Sequence, residues 1–234
     1  MREISADRPS LADGAAGAPD GTTGPAPSLP AQRPRGGPLA GSGRLILLAS
    51  SAGLGVGGLT SLGQTLLGST AFAGLGNAVS PWLVLPFAVG ALARRDGHAS
   101  AAGLLACVAQ VFGYYLVAHL RGFGVSNAFL IIWAVAGVLG GPLFGWAGRA
   151  WRTATGRVRG LGPALLVGCW VSEAIVTYLV VLRYGSEAAV FGAVAAVLTV
   201  LLGVAGRQLR SLLTWLPAAC LLGGAGFAAL HTLL

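Results

Sequence analysis

Long apolar runs are the feature that most constrains this chain. Seven of them, each about twenty residues long, follow one another between residues 45 and 233. At 1.5 Å per residue, a helix of that length covers the hydrocarbon core of a bilayer, about 30 Å. The runs are continuous and do not alternate with polar residues, which favours helices over a transmembrane barrel. The sequence therefore predicts an all-α membrane protein, a bundle of about seven transmembrane helices. The predicted spans are Leu45–Leu67, Leu75–Ala93, Ala99–Leu120, Asn127–Ala147, Leu161–Leu182, Ala188–Ala205 and Leu212–Leu233.

Charged residues are scarce, and their placement excludes a nucleic-acid partner. They make up 9% of the chain, against about 25% in a typical soluble domain. The net charge is +8, but the arginines stand at the ends of apolar runs and do not form one basic patch. All fifteen basic residues are arginine, which, with the abundant alanine and glycine, indicates a GC-rich bacterial genome. The expected surrounding partner is the lipid bilayer.

Residues 1–43 differ from the rest of the chain. They are rich in proline, glycine, alanine and serine and contain almost no large apolar side chain. Such a segment cannot bury enough surface to offset its ordering entropy. We therefore predict a disordered cytoplasmic tail and not a signal peptide, because the first apolar run is too long for a signal-peptide core.

The second predicted span is the weakest, because Pro81 and Pro86 fall within it. A re-entrant half-helix is the alternative, and it would reverse the topology of everything that follows. The arginines favour seven crossings of the cytoplasmic membrane with the N-terminus inside and the C-terminus outside, since short cytoplasmic loops concentrate positive charge. That topology leaves Arg121 and Arg183 outside. It places these arginines inside: Arg33, Arg35, Arg44, Arg94, Arg95, Arg149, Arg152, Arg157, Arg159, Arg207 and Arg210.

The sequence offers little material for catalysis or metal binding. An HExxH motif is absent, and no aspartate follows Asp96. The three cysteines, Cys107, Cys169 and Cys220, lie in different spans and lack the spacing of metal ligands. We expect no enzyme activity, no cofactor and no metal site.

One short motif weakly resembles a protease. Gly124-x-Ser126, at the start of the fourth span, is similar to the GxSG of rhomboid proteases, in which the serine is the nucleophile. Here Asn127 replaces the last glycine, and the sixth span contains no histidine. We interpret Ser126 as the N-cap of the fourth helix.

Glu173 is an acid in the middle of the fifth span, with no basic residue nearby. It shares a helix face with Cys169 and Thr177, and it lies ~18 Å from the predicted cytoplasmic end. On the third span Gln110 and Tyr114 lie at ~17 and ~23 Å. We therefore predict that these faces meet, and that Glu173 is hydrogen-bonded to Gln110 or Tyr114. Without a cationic partner we expect the neutral acid, which can donate as well as accept.

Two interpretations of this candidate buried polar site remain open. Ionisable residues inside a membrane are functional by default, which makes Glu173 a titrating or solute-binding group. The alternative is a structural hydrogen bond between helices, worth only ~0.6 kcal/mol on average.

Two further groups of residues deserve a test. His119 and Arg121, at the outer end of the third span, could bind an anion or a lipid headgroup, although such residues are usually solvated. The first span carries a stripe of small residues spaced by four, which lets another backbone approach. It is either a docking face for a partner subunit or ordinary packing within the bundle, and we favour packing. The stripe consists of Ala49, Gly53, Gly57 and Ser61.

Three segments carry a resemblance to a known family: SPWLVLPFAVGALARR, GYYLVAHLRGFGVS and WAVAGVLGGPLFGW. They resemble a family of small multi-pass bacterial membrane proteins, actinobacterial in character, that is classed only as a domain of unknown function. The resemblance covers roughly Leu45 to the end. It implies a multi-pass membrane protein and no activity.

Two functions are therefore expected as alternatives. The first is a small transport-type or solute-binding membrane protein that uses polar groups between the third and fifth spans. The second is a non-catalytic accessory subunit that docks on a membrane-protein partner or on a second copy through small-residue faces. Polar residues that line an internal cavity would favour the first.

The arginine asymmetry predicts the orientation. A reporter enzyme that is active only outside the cytoplasm should be active when fused after Leu234, and inactive when inserted between Arg149 and Gly160. The opposite activities at both positions would reject this topology.

Overall fold

The structure, a computed structural model, describes residues 38–76, 78–124 and 126–233, with side chains from residue 43 to residue 232. These ranges are helical and contain no strand. A π-helix, Glu173–Val181, continues the fifth helix, and short 3₁₀ helices form at Ala73–Gly76 and Gly156–Val158. The predicted all-α bundle of seven helices is confirmed. Its helices are α1 (Pro38–Leu67), α2 (Val79–Ala91), α3 (Asp96–Leu120), α4 (Asn127–Thr153), α5 (Leu161–Ser172), α6 (Gly185–Ala205) and α7 (Leu209–Leu233).

Most of the predicted tail, residues 1–37, lies outside the described residues. Residues 38–43 already belong to α1, so the first helix begins earlier than the apolar run that predicted it. Extending a helix adds one hydrogen bond for each residue fixed, whereas starting one is costly. The helix formed by the apolar run can therefore continue into neighbouring residues that lie outside that run.

Six helical segments are long and apolar enough to cross a membrane: α1, α3, α4, α6, α7 and the continuous segment of α5 and its π-helix. Their outer surfaces expose large apolar side chains that water would disfavour. Leu66 is 78% exposed and Leu221 is 77% exposed. Such a surface is compatible with a protein embedded in lipid.

The second segment crosses the bundle although α2 is short. Its 13 residues cover about 20 Å, less than the hydrocarbon core of about 30 Å. However, α1 and α3 run parallel, with Gly53 beside Ala106 and Gly57 beside Gln110. Because parallel neighbours begin at the same end, the chain between them must return across the bundle. The α2 helix covers one part of that return, and the segment between α1 and α2, described at residues 68–76 and 78, covers the rest.

The seven passes alternate in direction. α5 and α7 are parallel, since Gly168 lies beside Ala219 and Thr177 contacts His231. α4 runs alongside α2 in the same direction, since Gly140 lies beside Leu83 and Arg152 donates to the carbonyl oxygen of Ala91. One end of the bundle, called the arginine-rich end here, carries Arg44, Arg94, Arg95, Arg149, Arg152, Arg157, Arg159, Arg207 and Arg210. The other end carries Arg121 and Arg183.

The small-residue stripe of α1 is buried within the bundle. Ala49 and Ser61 are almost fully buried, and Gly53 and Gly57 lie directly against the backbone of α3. A Cβ atom at Gly57 would overlap the carbonyl oxygen of Gln110. The stripe is therefore not a surface that a partner subunit could reach in this arrangement.

This contact predicts the effect of adding one methyl group. Gly57→Ala should lower the free energy of unfolding by about 1–3 kcal/mol, because the helices must separate to accommodate the new atom. Gly55→Ala is the matched control on the same helix, where an added Cβ meets nothing. Unfolding of the purified protein in detergent measures both. Equal stability of the two variants would contradict this packing.

Candidate functional site

Glu173 is the N-terminal cap of α2, supplied from a distant part of the chain. It lies where α5 passes into the π-helix and is 2% exposed. One carboxylate oxygen accepts a hydrogen bond from the Val79 N–H at 2.9 Å, and the other accepts from the Ser80 N–H at 2.7 Å. The first N–H groups of a helix have no partner within that helix. Glu173 therefore satisfies two donors that would otherwise be buried without acceptors.

Charged side chains also meet the other end of α2. Arg152 donates to the carbonyl oxygen of Ala91 at 3.0 Å, and Arg149 donates to that of Ala93 at 3.0 Å. A helix carries about half a positive charge at its N-terminus and half a negative charge at its C-terminus. A carboxylate and two guanidinium groups thus complement the dipole of this short helix at both ends.

The expected hydrogen bond from Glu173 to Gln110 or Tyr114 is not formed, and that prediction is wrong. Tyr114 donates to Oε1 of Gln64 at 2.6 Å, and the fully buried amide of Gln110 has no hydrogen-bond partner among the described residues. Both oxygens of Glu173 accept hydrogen bonds from backbone N–H groups of α2, and neither is bonded to Gln110 or Tyr114. A bond to a charged group is worth about 1.5–3 kcal/mol, more than the average interhelical bond in a membrane.

The backbone changes at Glu173. The helix widens there into nine residues of π-helix, with hydrogen bonds such as that from the Leu182 N–H to the Thr177 carbonyl oxygen at 2.9 Å. A π-helix is rare and is often found at functional sites. The sequence signal is slight: β-branched residues, which favour an α-helix less, make up much of the segment EAIVTYLVV.

A cavity of about 790 Å³ extends from the end that carries Arg121 down to Glu173 and Val79. Most of the helices contribute to its wall: α1, α3, α4, α6, α7 and the π-helix. The short 3₁₀ helix before α2 also contributes. Its lining is a mixture of aromatic and polar side chains. The polar side chains are Ser61, Gln64, Thr65, Tyr114, Tyr115, Arg121, Ser126, Glu173, Thr177, Tyr178, Tyr184, Glu187 and His231.

The cavity brings some of the predicted site residues together and leaves others apart. Glu173, Tyr114, Thr177 and Arg121 all line it, although they were assigned to two separate groups. Gln110 does not line it. His119 is exposed and also lies outside it, so the structure does not join it to Arg121.

Sequence reasoning missed His231 and Gln64. The Nε2 atom of His231 lies 3.0 Å from the hydroxyl oxygen of Thr177, and Gln64 accepts the bond from Tyr114. A polar side chain within an apolar run was the available signal, because such groups are costly inside a membrane.

Arg121 lines the cavity and is held against α1 at the end of the bundle opposite the arginine-rich end. Its guanidinium donates to the carbonyl oxygen of Ser61 and to the hydroxyl of Thr65. It also lies 4.9 Å from the centre of the Phe123 ring. These contacts fix the arginine as part of the wall. No cluster of histidine, cysteine and carboxylate side chains within the described residues is arranged to hold a metal ion.

A family model matches residues 38–234, which include all seven helices. The chain belongs to DUF6518, a family of unknown function. DUF6518 membership confirms the resemblance drawn from the sequence motifs to a domain of unknown function. Searches of the curated proteins and of the solved structures found no match.

The cap predicts a large stability difference at one position. Glu173→Ala should lower the free energy of unfolding by about 3 kcal/mol, because two buried N–H groups lose their acceptor. Glu173→Gln should cost roughly half as much, since one of the two acceptor oxygens becomes an NH2 group, which cannot accept a hydrogen bond. Glu187→Ala is the control, because the Glu187 side chain bonds to its neighbour Ser186 and not to a helix end. A Glu173→Ala variant as stable as the control would show that the cap is unimportant.

Proposed function

We propose that the protein binds a small solute in its cavity and is a solute-binding membrane protein of the transport type. The observation that carries this proposal is the cavity itself, which combines an apolar and aromatic wall with polar side chains and ends at a helix terminus deep in the bundle. Its volume of about 790 Å³ falls within the range of sites for small molecules, roughly 300–1,000 Å³. Transporters place their substrates near the bilayer midplane, between helices that are interrupted there.

The depth of the site supports this function. The N-terminus of α2 lies about 20 Å from the arginine-rich end, close to the middle of a hydrocarbon core of about 30 Å. Between that level and the arginine-rich end, buried apolar side chains close the bundle, among them Phe87, Phe144 and Leu166. The cavity is thus accessible from one side and blocked on the other, as alternating access requires of each state.

The break in the α-helical backbone before α2 is consistent with a wet cavity. A turn and the short 3₁₀ helix Ala73–Gly76 replace the α-helix there, and Ala73 and Gly74 line the cavity wall. Non-helical backbone at membrane depth is tolerated where it is buried in protein or lines a water-filled space. The accessory-subunit alternative has no comparable observation, because the stripe proposed for docking packs against α3.

The charge distribution supports an orientation for this site. Positive residues concentrate on the cytoplasmic side of membrane proteins, and the arginine-rich end holds nine arginines of the described chain against two at the other end. We therefore place the protein in the cytoplasmic membrane with the cavity open to the outside.

Two adjacent residues on α4 supply the test. Ala136 lines the cavity, whereas Val135 is 52% exposed on the outer surface of the bundle. The purified protein should be screened against a library of small metabolites by thermal shift. A true ligand should raise the melting temperature of the Val135→Trp variant and should lose its effect on Ala136→Trp, whose indole fills the cavity. A screen in which no stabilising compound discriminates between the variants would refute the proposal.

A further inference from the structure

The charges that line the cavity are unequal. They comprise the carboxylates of Glu173 and Glu187 and the guanidinium of Arg121. From this imbalance and from the aromatic wall, we infer that the bound solute is a small organic cation, an amine or a quaternary ammonium compound. This inference rests on the proposed function, and it names the class of solute.

When it is ionised, Glu173 supplies an incompletely compensated negative charge at the bottom of the cavity. The described residues form a salt bridge between Arg149 and Asp96 at the arginine-rich end, but none to Glu173. The N-terminus of α2 offsets only about half a charge. A carboxylate offers about four acceptor positions, and the two backbone N–H groups occupy two of them. A cationic group could take the remaining positions and complete the compensation of a charge that is otherwise costly to bury.

Arg121 does not supply that compensation. Its guanidinium is bonded to Ser61 and Thr65 of α1 and stacked near the Phe123 ring. Those groups belong to the end of the bundle, whereas Glu173 lies at the level of the α2 N-terminus. An anionic solute would be attracted to this arginine but repelled by the two carboxylates. The N–H groups of Val79 and Ser80 could not bind it, because they already donate to Glu173.

Aromatic side chains make up much of the remaining wall. Tyr114, Tyr115, Trp133, Tyr178 and Tyr184 all line the cavity, and the faces of such rings attract cations. Part of this wall is packed against a second ring: the half-buried Trp82 lies 5.5 Å from Trp133 and 5.8 Å from Tyr114, centre to centre. Preformed rings with a carboxylate at the bottom suit an alkylammonium group better than a neutral solute of the same shape.

The test compares solutes that differ in charge but not in shape. The full-length protein, in the uncharged detergent dodecyl maltoside, is titrated with two isosteric pairs and followed by ligand-observed NMR. The pairs are choline with 3,3-dimethylbutan-1-ol, and butylammonium with butan-1-ol; butanoate is the anionic probe. At least one cation should bind about tenfold more tightly than its neutral isostere, and butanoate should not bind.

Variants assign the effect to the site. Glu173→Gln should weaken binding of the cation about tenfold and leave the neutral isostere unchanged. If Glu173→Gln does not fold, Trp133→Leu replaces it, with an expected loss of about fivefold from the missing ring face. Asp96→Asn is the matched control, because it removes a carboxylate at the arginine-rich end and should not change binding of the cation.

The two levels of the proposal fail in different ways. If the neutral or anionic probes bind as well as the cations, or if no cation binds, the assignment of an organic cation is overturned. The proposed function is then tested separately by the metabolite screen. A neutral or anionic compound that stabilises the protein but loses its effect in Ala136→Trp would support a solute site of another class.

Discussion

The carboxylate of Glu173 accepts hydrogen bonds from the first N–H groups of α2, and the short helix depends on this contact. The N-terminus of α2 lies at mid-depth and Ser80 is fully buried, so an N–H group left there without an acceptor would cost several kcal/mol. The carboxylate at the start of the π-helix supplies the acceptor that the neighbouring sequence lacks, since Ala78 precedes the helix and has no side-chain oxygen. With Arg149 and Arg152 at the opposite end, α2 is stable at about two-thirds of the length that the membrane requires.

The shortness of α2 has a direct consequence for the cavity. The segment between α1 and α2, described at residues 68–76 and 78, completes the crossing without an α-helix, and Ala73 and Gly74 form part of the cavity wall. The same carboxylate that caps the helix also lines the bottom of that cavity. One side chain thus has two roles, which explains why the structural and functional interpretations of an intramembrane acid need not exclude each other.

The sequence alone predicted the seven helices, because run length and the bilayer thickness leave few alternatives. Pro81 and Pro86 indicated that the second segment is unusual, but they did not show where its helix begins. The partner of Glu173 could not be predicted, because backbone N–H groups carry no sequence signature. Comparing the depths of residues in the membrane pairs side chains only with other side chains. Gln110 shows the same limit: its depth matches that of Glu173, yet it lies on the part of α3 that packs against α1.

The most direct measurement of the central contact is the NMR spectrum of the Val79 and Ser80 amides in isotope-labelled protein. Charge-assisted hydrogen bonds are short and strong, so both amide protons should resonate downfield and exchange slowly with solvent. In Glu173→Ala both signals should move upfield and exchange faster, while the amides near Arg152 stay unchanged. Val79 and Ser80 signals that are ordinary in the wild-type protein and unaltered in Glu173→Ala would contradict the account.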